Sequence, residues 1–296
     1  MNWPELLAPW AAWLAALLLP LTPPWQVWRQ LAEGLAAKVN RPNRSPYQRR
    51  LAGILAWALL WLPFSALVWL LGALAQLDWL LGAFWLYLAL SDGRQAGLRA
   101  LVQALAGGQH QYAKTLLAGQ LKRDTDRLSP LGLAKAGIHW QLRLLSDQLL
   151  LVTIAVLVDP ALALVLRLAL ELGEAWHPAR PGLGPFGNLA ATLAAALRQL
   201  ATPLVQLWLV LPLSPGALAG PGRPWLLAAT GRALDCELGG PVLLAGRRQF
   251  RPRVGGRAAP SGQHLVRLNR MAALSLPLWL LVLTLARASW QWLGWQ

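Results

Sequence analysis

A single cysteine, Cys236, is present in 296 residues. It has no partner for a disulfide and builds no zinc site, so neither redox compartment nor structural metal follows from it. Charge is nearly as scarce: 13% of residues are Asp, Glu, Lys or Arg, against about a quarter in an ordinary soluble domain. Acids are the rarer sign, twelve against 27 Lys plus Arg. A Walker A sequence, a His-Glu-x-x-His pair and a Gly-x-Ser-x-Gly elbow are all missing, which removes the sequence grounds for a P-loop enzyme, a zincin or an α/β-hydrolase. What fills the chain is apolar, 56% hydrophobic with 18 Trp. That composition argues against a soluble fold and points to the bilayer.

Residues 6–28 are uncharged over 23 positions and residues 51–77 over 27, where about 20 apolar residues cross the hydrocarbon core. The expected fold is all-α, one integral membrane domain over residues 1–296: a polytopic membrane helix bundle of about six spans. These lie near 6–28, 51–72, 74–91, 149–168, 189–212 and 271–290, with cytoplasmic, largely helical loops at 29–50, 92–148 and 215–270. The three loops hold 23 of the 27 basic residues. That is the positive-inside asymmetry, so the net charge of +15 reads as orientation in a cell inner membrane, with the lipid bilayer and no nucleic acid as partner. The first span has no basic n-region before it and no small-residue cleavage site after it, so it is expected to be a retained helix. Trp25, Trp28, Trp79, Trp290, Trp292 and Trp295 fall at span ends, as interfacial anchors do. Asp159 interrupts the fourth span at a cost of about 2.5–3.5 kcal/mol on insertion scales, and with Pro160 beside it a break, a re-entrant tip or a water-lined cavity is expected to relieve the charge.

In the second loop, Leu98, Leu101, Val102 and Leu105 recur at helical spacing with Arg94 and Arg99 off that face. Ser129-Pro130 reads as the cap and first turn of a further helix, in which Leu131, Leu133, Ala134 and Ile138 pack while Lys135 points away. The third loop carries turn signals at Gly239-Gly240-Pro241 and Gly255-Gly256 and need not be regular. Gly182 to Gly187 satisfies the G-x-G-x-x-G spacing but lacks the strand and helix of a dinucleotide site, and reads as a connector in an outer loop. His110, His139, His177 and His264 are scattered without a shared helical face, so metal ligation is not indicated and no metal site is assigned. Arg123-Asp124-Thr125 combines a guanidinium, a carboxylate and a hydroxyl in one turn. Its structural reading is a capped helix junction with local ion pairs; its functional reading is a phosphate or magnesium-phosphate site. Arg247, Arg248, Arg251 and Arg253 form a basic run that serves either anionic lipid or a substrate phosphate.

The order of these features resembles the CobD/CbiB family of cobalamin biosynthesis over nearly the whole chain. The resemblance is carried by Pro24 to Val27, Arg49 to Gly53, Lys122 to Ser129 with Gly132 to Ala136, Ser146-Asp147, Leu238 to Pro241 and Arg251 to Gly255. It implies a membrane ligase that joins an aminopropanol phosphate to the carboxyl of adenosylcobyric acid with ATP and Mg2+. By the same resemblance Asp124 and Asp147 are catalytic candidates, and Arg123, Thr125, Lys135, Ser146 and Arg251 are candidates for holding the corrinoid substrate or a phosphate. Several family acids are replaced: His139 and Arg143 stand where the family has glutamates, and Leu170 and Gly173 where it has an asparagine and an aspartate. A second hypothesis therefore stands beside the first, a non-catalytic relative acting through a protein partner as a sensor or scaffold, similar to the AmpE proteins.

Overall fold

The computed structural model describes residues 3–19, 25–118, 125, 128–210, 225–244, 247–250 and 252–294. Among them the chain forms α-helices and four three-residue strands, so the fold is all-α. Among the described residues three helices are long and apolar enough to cross a membrane, α3 (Pro46–Leu74), α7 (Pro130–Leu157) and α11 (Gly262–Leu293), while α4 (Asp78–Leu90) is a shorter apolar helix. The apolar stretch of α3 is mostly exposed, with Leu55, Leu59, Leu62 and Leu70 facing outward. An apolar face of that extent is an aggregation surface in water and an ordinary one in lipid.

The chain divides into two compact units. Unit 1 contains residues 1–93, 147–198 and 278–296, and unit 2 contains residues 94–146 and 199–277. The helices α7, α9 (Asn188–Val210) and α11 each contribute to both.

Unit 1 is built from α1 (Trp3–Leu18), α2 (Trp25–Val39), α3, α4, the second part of α7, α8 (Pro160–Ala175), the start of α9 and the end of α11. The starts of α1, α4 and α8 meet the ends of α3, α7 and α11 around one cavity, whose walls include Glu5, Asp78, Pro160, Trp69, Val158 and Arg287. Hence α1, α4 and α8 run one way and the other three run back. At the opposite end Tyr87 Oη donates to the Leu19 carbonyl (3.2 Å) and Trp176 Nε1 to that of Ala32 (2.8 Å).

The stretch 149–168 is therefore not one span. The helix α7 stops at Leu157, and Asp159 caps α8 by accepting from the amides of Ala161 and Leu162. The chain reverses at Asp159-Pro160, and α8 runs back alongside α3, where Trp61 Nε1 donates to the Val165 carbonyl (3.3 Å). A consequence corrects the expected topology: residues 177–187 pack on the segment 29–50 and do not face away from it. Asn40 Nδ2 donates to the Gly182 carbonyl (2.9 Å), Arg49 donates to the same oxygen, and Arg180 pairs with Glu33 (2.9 Å). Backbone approach is close enough that a Cβ on Gly53 would lie 2.0 Å from the Phe186 carbonyl oxygen. The stretch 189–212 begins as α9, which is not among the three helices long and apolar enough to span. The stretch 6–28 holds α1 and the start of α2, with 20–24 outside the described residues.

Of the proposed tryptophan anchors, Trp79, Trp290 and Trp292 are exposed, and Trp295 lies outside the described residues. Trp28 is half-buried, edge-on to Phe64, and Trp25 departs furthest from an anchor. It is fully buried, donates to the Leu88 carbonyl (3.0 Å) and packs edge-on to Phe64.

Unit 2 gathers α5 (Arg94–Ala106), α6 (His110–Ala118), the starts of α7 and α11, the end of α9, and α10 (Trp225–Leu234). Two antiparallel ribbons follow α10: β1 (Glu237–Gly239) pairs with β4 (Arg253–Gly255), and β2 (Val242–Leu244) with β3 (Arg247–Gln249). The spacing in α5 buries Leu98, Leu101, Val102 and Leu105 as the sequence predicts, but Arg94 is buried with them. Ser129 caps α7 by accepting from the Gly132 amide (3.2 Å). Leu133, Ala134 and Ile138 are buried behind it, whereas Leu131 is exposed.

Candidate functional site

Unit 2 holds the first cluster. Lys135 does not point away, as its helical position predicts: Nζ donates to the Gly239 carbonyl (3.0 Å) and approaches Glu237 Oε1 at 3.4 Å. Arg253 reaches the same carboxylate oxygen at 3.6 Å. Gly239 and Gly240 make the corner possible. Their φ angles are +81° and +88°, and a Cβ on Gly239 would lie 2.3 Å from the Pro252 carbonyl oxygen, a placement open to glycine alone. Among the described residues two cations, Lys135 and Arg253, meet the Glu237 carboxylate beside glycine backbone, an arrangement that suits a phosphate oxygen. Cys236 abuts this corner and is fully buried. Burial and, after it, Asp235 push its thiol from 9.0 up to about 11, with Lys135 acting in the opposite sense.

Asp147 belongs to unit 1, in a network of buried charge. It is 1% exposed, and Arg198 from α9 grips both of its oxygens, Nε to Oδ1 at 2.7 Å and Nη2 to Oδ2 at 3.0 Å. The same guanidinium lies 3.1 Å from Glu174. Within the same unit, Arg167 pairs with Asp92 (2.8 Å) and with Glu171 one turn along α8 (2.7 Å), and Glu171 also binds Arg29 (2.7 Å). The Arg167 guanidinium sits 5.5 Å from the centre of the Trp25 ring. Among the described residues these contacts join four carboxylates to three guanidiniums. Burial at this depth demands such pairing, because an isolated charge there costs several kcal/mol.

Among the other sequence candidates, Thr125 is buried, with its carbonyl accepting from the Leu128 amide (3.1 Å). Ser146 is buried and donates back to the Leu142 carbonyl (2.8 Å), which occupies its hydroxyl proton within the helix. Asp124, Arg123 and Arg251 lie outside the described residues. The structure thus joins Lys135 to Arg253 and the glycine corner, and Asp147 to Arg198. Asp92, Arg167, Glu171, Glu174 and Arg198 are not among the sequence candidates. The available signal was the Arg167-x-x-x-Glu171 spacing, which sets an ion pair on one helical face.

Among the described residues no three His, Cys, Asp or Glu side chains converge to hold a metal. Asp147, with both oxygens engaged by Arg198, does not fit a Mg2+ ligand. His264 is the N3 partner of the α11 cap, its Nδ1 meeting the Ser261 amide (3.1 Å) and hydroxyl (2.8 Å).

A model of the CobD/Cbib protein family matches residues 10–272. The chain is 31% identical over 249 residues to the Cobalamin biosynthesis protein CobD of Stutzerimonas stutzeri (strain A1501), covering 78% of this chain and 80% of that one. It is also 31% identical over 261 residues to the Cobalamin biosynthesis protein CobD of Chromobacterium violaceum, covering 82% and 83%. No solved structure matches it. With the family model and both relatives spanning most of its length, the chain belongs to the CobD/CbiB family.

Proposed function

We propose that this chain acts in cobalamin biosynthesis as an adenosylcobinamide-phosphate synthase-like ligase of the inner membrane. In this reading it forms an amide between an aminopropanol phosphate and the carboxyl of adenosylcobyric acid, with ATP consumed at the cytosolic face. The observation that carries the reading is the pair of cobalamin-biosynthesis relatives aligned over about four fifths of both lengths. The structural support is the Lys135, Gly239 and Arg253 corner, a cationic, glycine-lined position for a phosphate group. Lys135 would hold that phosphate through its charge and the one ammonium hydrogen not engaged by Gly239 and Glu237. Mg2+ has no fitting set among the described residues, and no step is assigned to it.

One observation favours the second reading, a catalytically degenerate relative acting as an AmpE-like sensor or scaffold. The family acid retained at Asp147 is neutralised by a two-point arginine clamp, which serves structure at least as well as catalysis. Complementation separates the two. A strain lacking its own synthase, supplied with cobyric acid and this gene, grows if the ligase reading is right. Growth falls in Lys135→Met while membrane-inserted protein stays constant. Absence of growth with correctly inserted parent protein rejects the ligase.

A further inference from the structure

The segment 29–50 of unit 1 holds six basic residues and one acid, Glu33. Glu33 pairs with Arg180, Arg29 pairs with Glu171, and Arg49 donates to Asn40 Oδ1 (2.8 Å). That leaves Lys38, Arg41, Arg44 and Arg50, all exposed and, among the described residues, without a carboxylate partner. Residues 177–187, packed on this segment, add no acid. Beside these cations a groove of about 640 Å³ opens between the end of α2 and the start of α3. Arg44 and Gln48 line its polar end. Gln48 turns its Oε1 to the Ser45 amide (3.2 Å), and among the described residues its Nε2 has no acceptor. The remaining wall is apolar, with Leu35 from α2 and with Leu51, Leu55 and Leu59 at successive turns of α3. From Gln48 to Leu59 the helix rises about 16 Å, close to one leaflet's half of a hydrocarbon core about 30 Å thick. No acid lines the groove, and α3 is long and apolar enough to cross a bilayer. The groove therefore suits an amphiphile that is negative where Arg44 and Gln48 donate and apolar for the length of an acyl chain. Charge decides among bilayer lipids, because unopposed Lys and Arg at the headgroup level favour anionic ones.

We propose that this groove holds one anionic phospholipid, its phosphate against Arg44 and the Gln48 amide and one acyl chain along Leu51, Leu55 and Leu59. The test is native mass spectrometry of the full chain, purified in detergent and titrated with phosphatidylglycerol or phosphatidylcholine of matched chains, with glycerol phosphate as a soluble competitor. The parent retains one phosphatidylglycerol and holds phosphatidylcholine about tenfold more weakly. Arg44→Gln weakens phosphatidylglycerol about fivefold, one basic residue's share near the surface. Arg41→Gln, at an exposed position outside the groove wall, weakens it by less than about twofold. Leu55→Trp, at an exposed position, fills the groove with its ring and lowers retention of both lipids. Without lipid, all three variants melt with the parent. Equal retention of phosphatidylcholine, no retained lipid on the parent, Arg41→Gln as damaging as Arg44→Gln, or parent-like retention in Leu55→Trp overturns the proposal, the last two by showing only the diffuse pull of a basic surface. Displacement of phosphatidylglycerol by glycerol phosphate at the lipid's own concentration overturns the lipid assignment and leaves a site for a soluble phosphate.

Discussion

Replacing Arg167 by methionine tests whether the buried charges of unit 1 hold it together. The guanidinium has 1% exposure and binds Asp92 at 2.8 Å and Glu171 at 2.7 Å, over the Trp25 ring. Methionine fills much of the volume but returns neither ion pair. Glu171 keeps Arg29 at 2.7 Å, whereas Asp92, 2% exposed, loses the guanidinium. Removing one partner of a buried pair costs about 3–5 kcal/mol, because the remaining carboxylate stays desolvated. At about 2–4 °C per kcal/mol for a chain of this size, the unfolding midpoint falls by roughly 6–20 °C. The assay is thermal unfolding in detergent followed by tryptophan fluorescence. Adding Asp92→Asn removes one of the two carboxylates that lose this guanidinium and so lowers the excess of buried negative charge, and the double variant melts above the single one. The loss is also insensitive to salt, since screening acts weakly on buried pairs. An Arg167→Met midpoint within about 2 °C of the parent, or a double variant less stable than the single, refutes the reasoning.

The shared end of residues 29–50 and 177–187 predicts that cysteines placed at Asn43 and Gly184, in a Cys236→Ala background, react with an impermeant maleimide from the same side of the membrane. Labelling from opposite sides would contradict the packing described. Gly53→Ala drives a methyl toward the Phe186 carbonyl and costs about 1–3 kcal/mol of overpacking, while Gly34→Ala, inside α2 with nothing within 4 Å, stabilises by about 0.5–1 kcal/mol of helix propensity. The raised thiol of Cys236 links stability to pH. With a folded pKa of about 11 against 9.0, the contribution of the protonated thiol is complete below pH 9.0 and is lost as pH rises through about 11. Melting curves across that interval lose this step in Cys236→Ala, and an unchanged pH profile in the variant counts against the burial.

How much of this was readable beforehand depended on where the physics resides. Long uncharged runs identify themselves, and the cap at Ser129-Pro130 is local, so α3, α11 and the start of α7 follow from neighbouring residues. The reversal at Asp159 was half visible. The charge and the proline marked a break, but only the contacts of α8 with α3 show that the chain turns back. The ion pairs of unit 1 were harder, since Arg29 meets Glu171 across 142 positions and Arg167 meets Asp92 across 75. Nothing in the composition of either segment announces its partner. The same holds for Lys135, whose acceptor on Gly239 is 104 positions away. Strands of three residues are too short for alternation to reveal, and the ribbons around Gly239 and Gly255 left only their turn glycines as a trace.

The composition of α8 has a consequence for biogenesis. With Arg167, Glu171 and Glu174 in sixteen residues, it is a poor candidate for solitary entry into lipid, each charge at a helix centre opposing insertion by roughly 2.5–3.5 kcal/mol. Its counter-ions come from both directions along the polypeptide: Arg29 and Asp92 are synthesised before it, Arg198 after it. Arg198, which lies 3.1 Å from Glu174 and grips Asp147 as well, is thus the last of these counter-ions to be made.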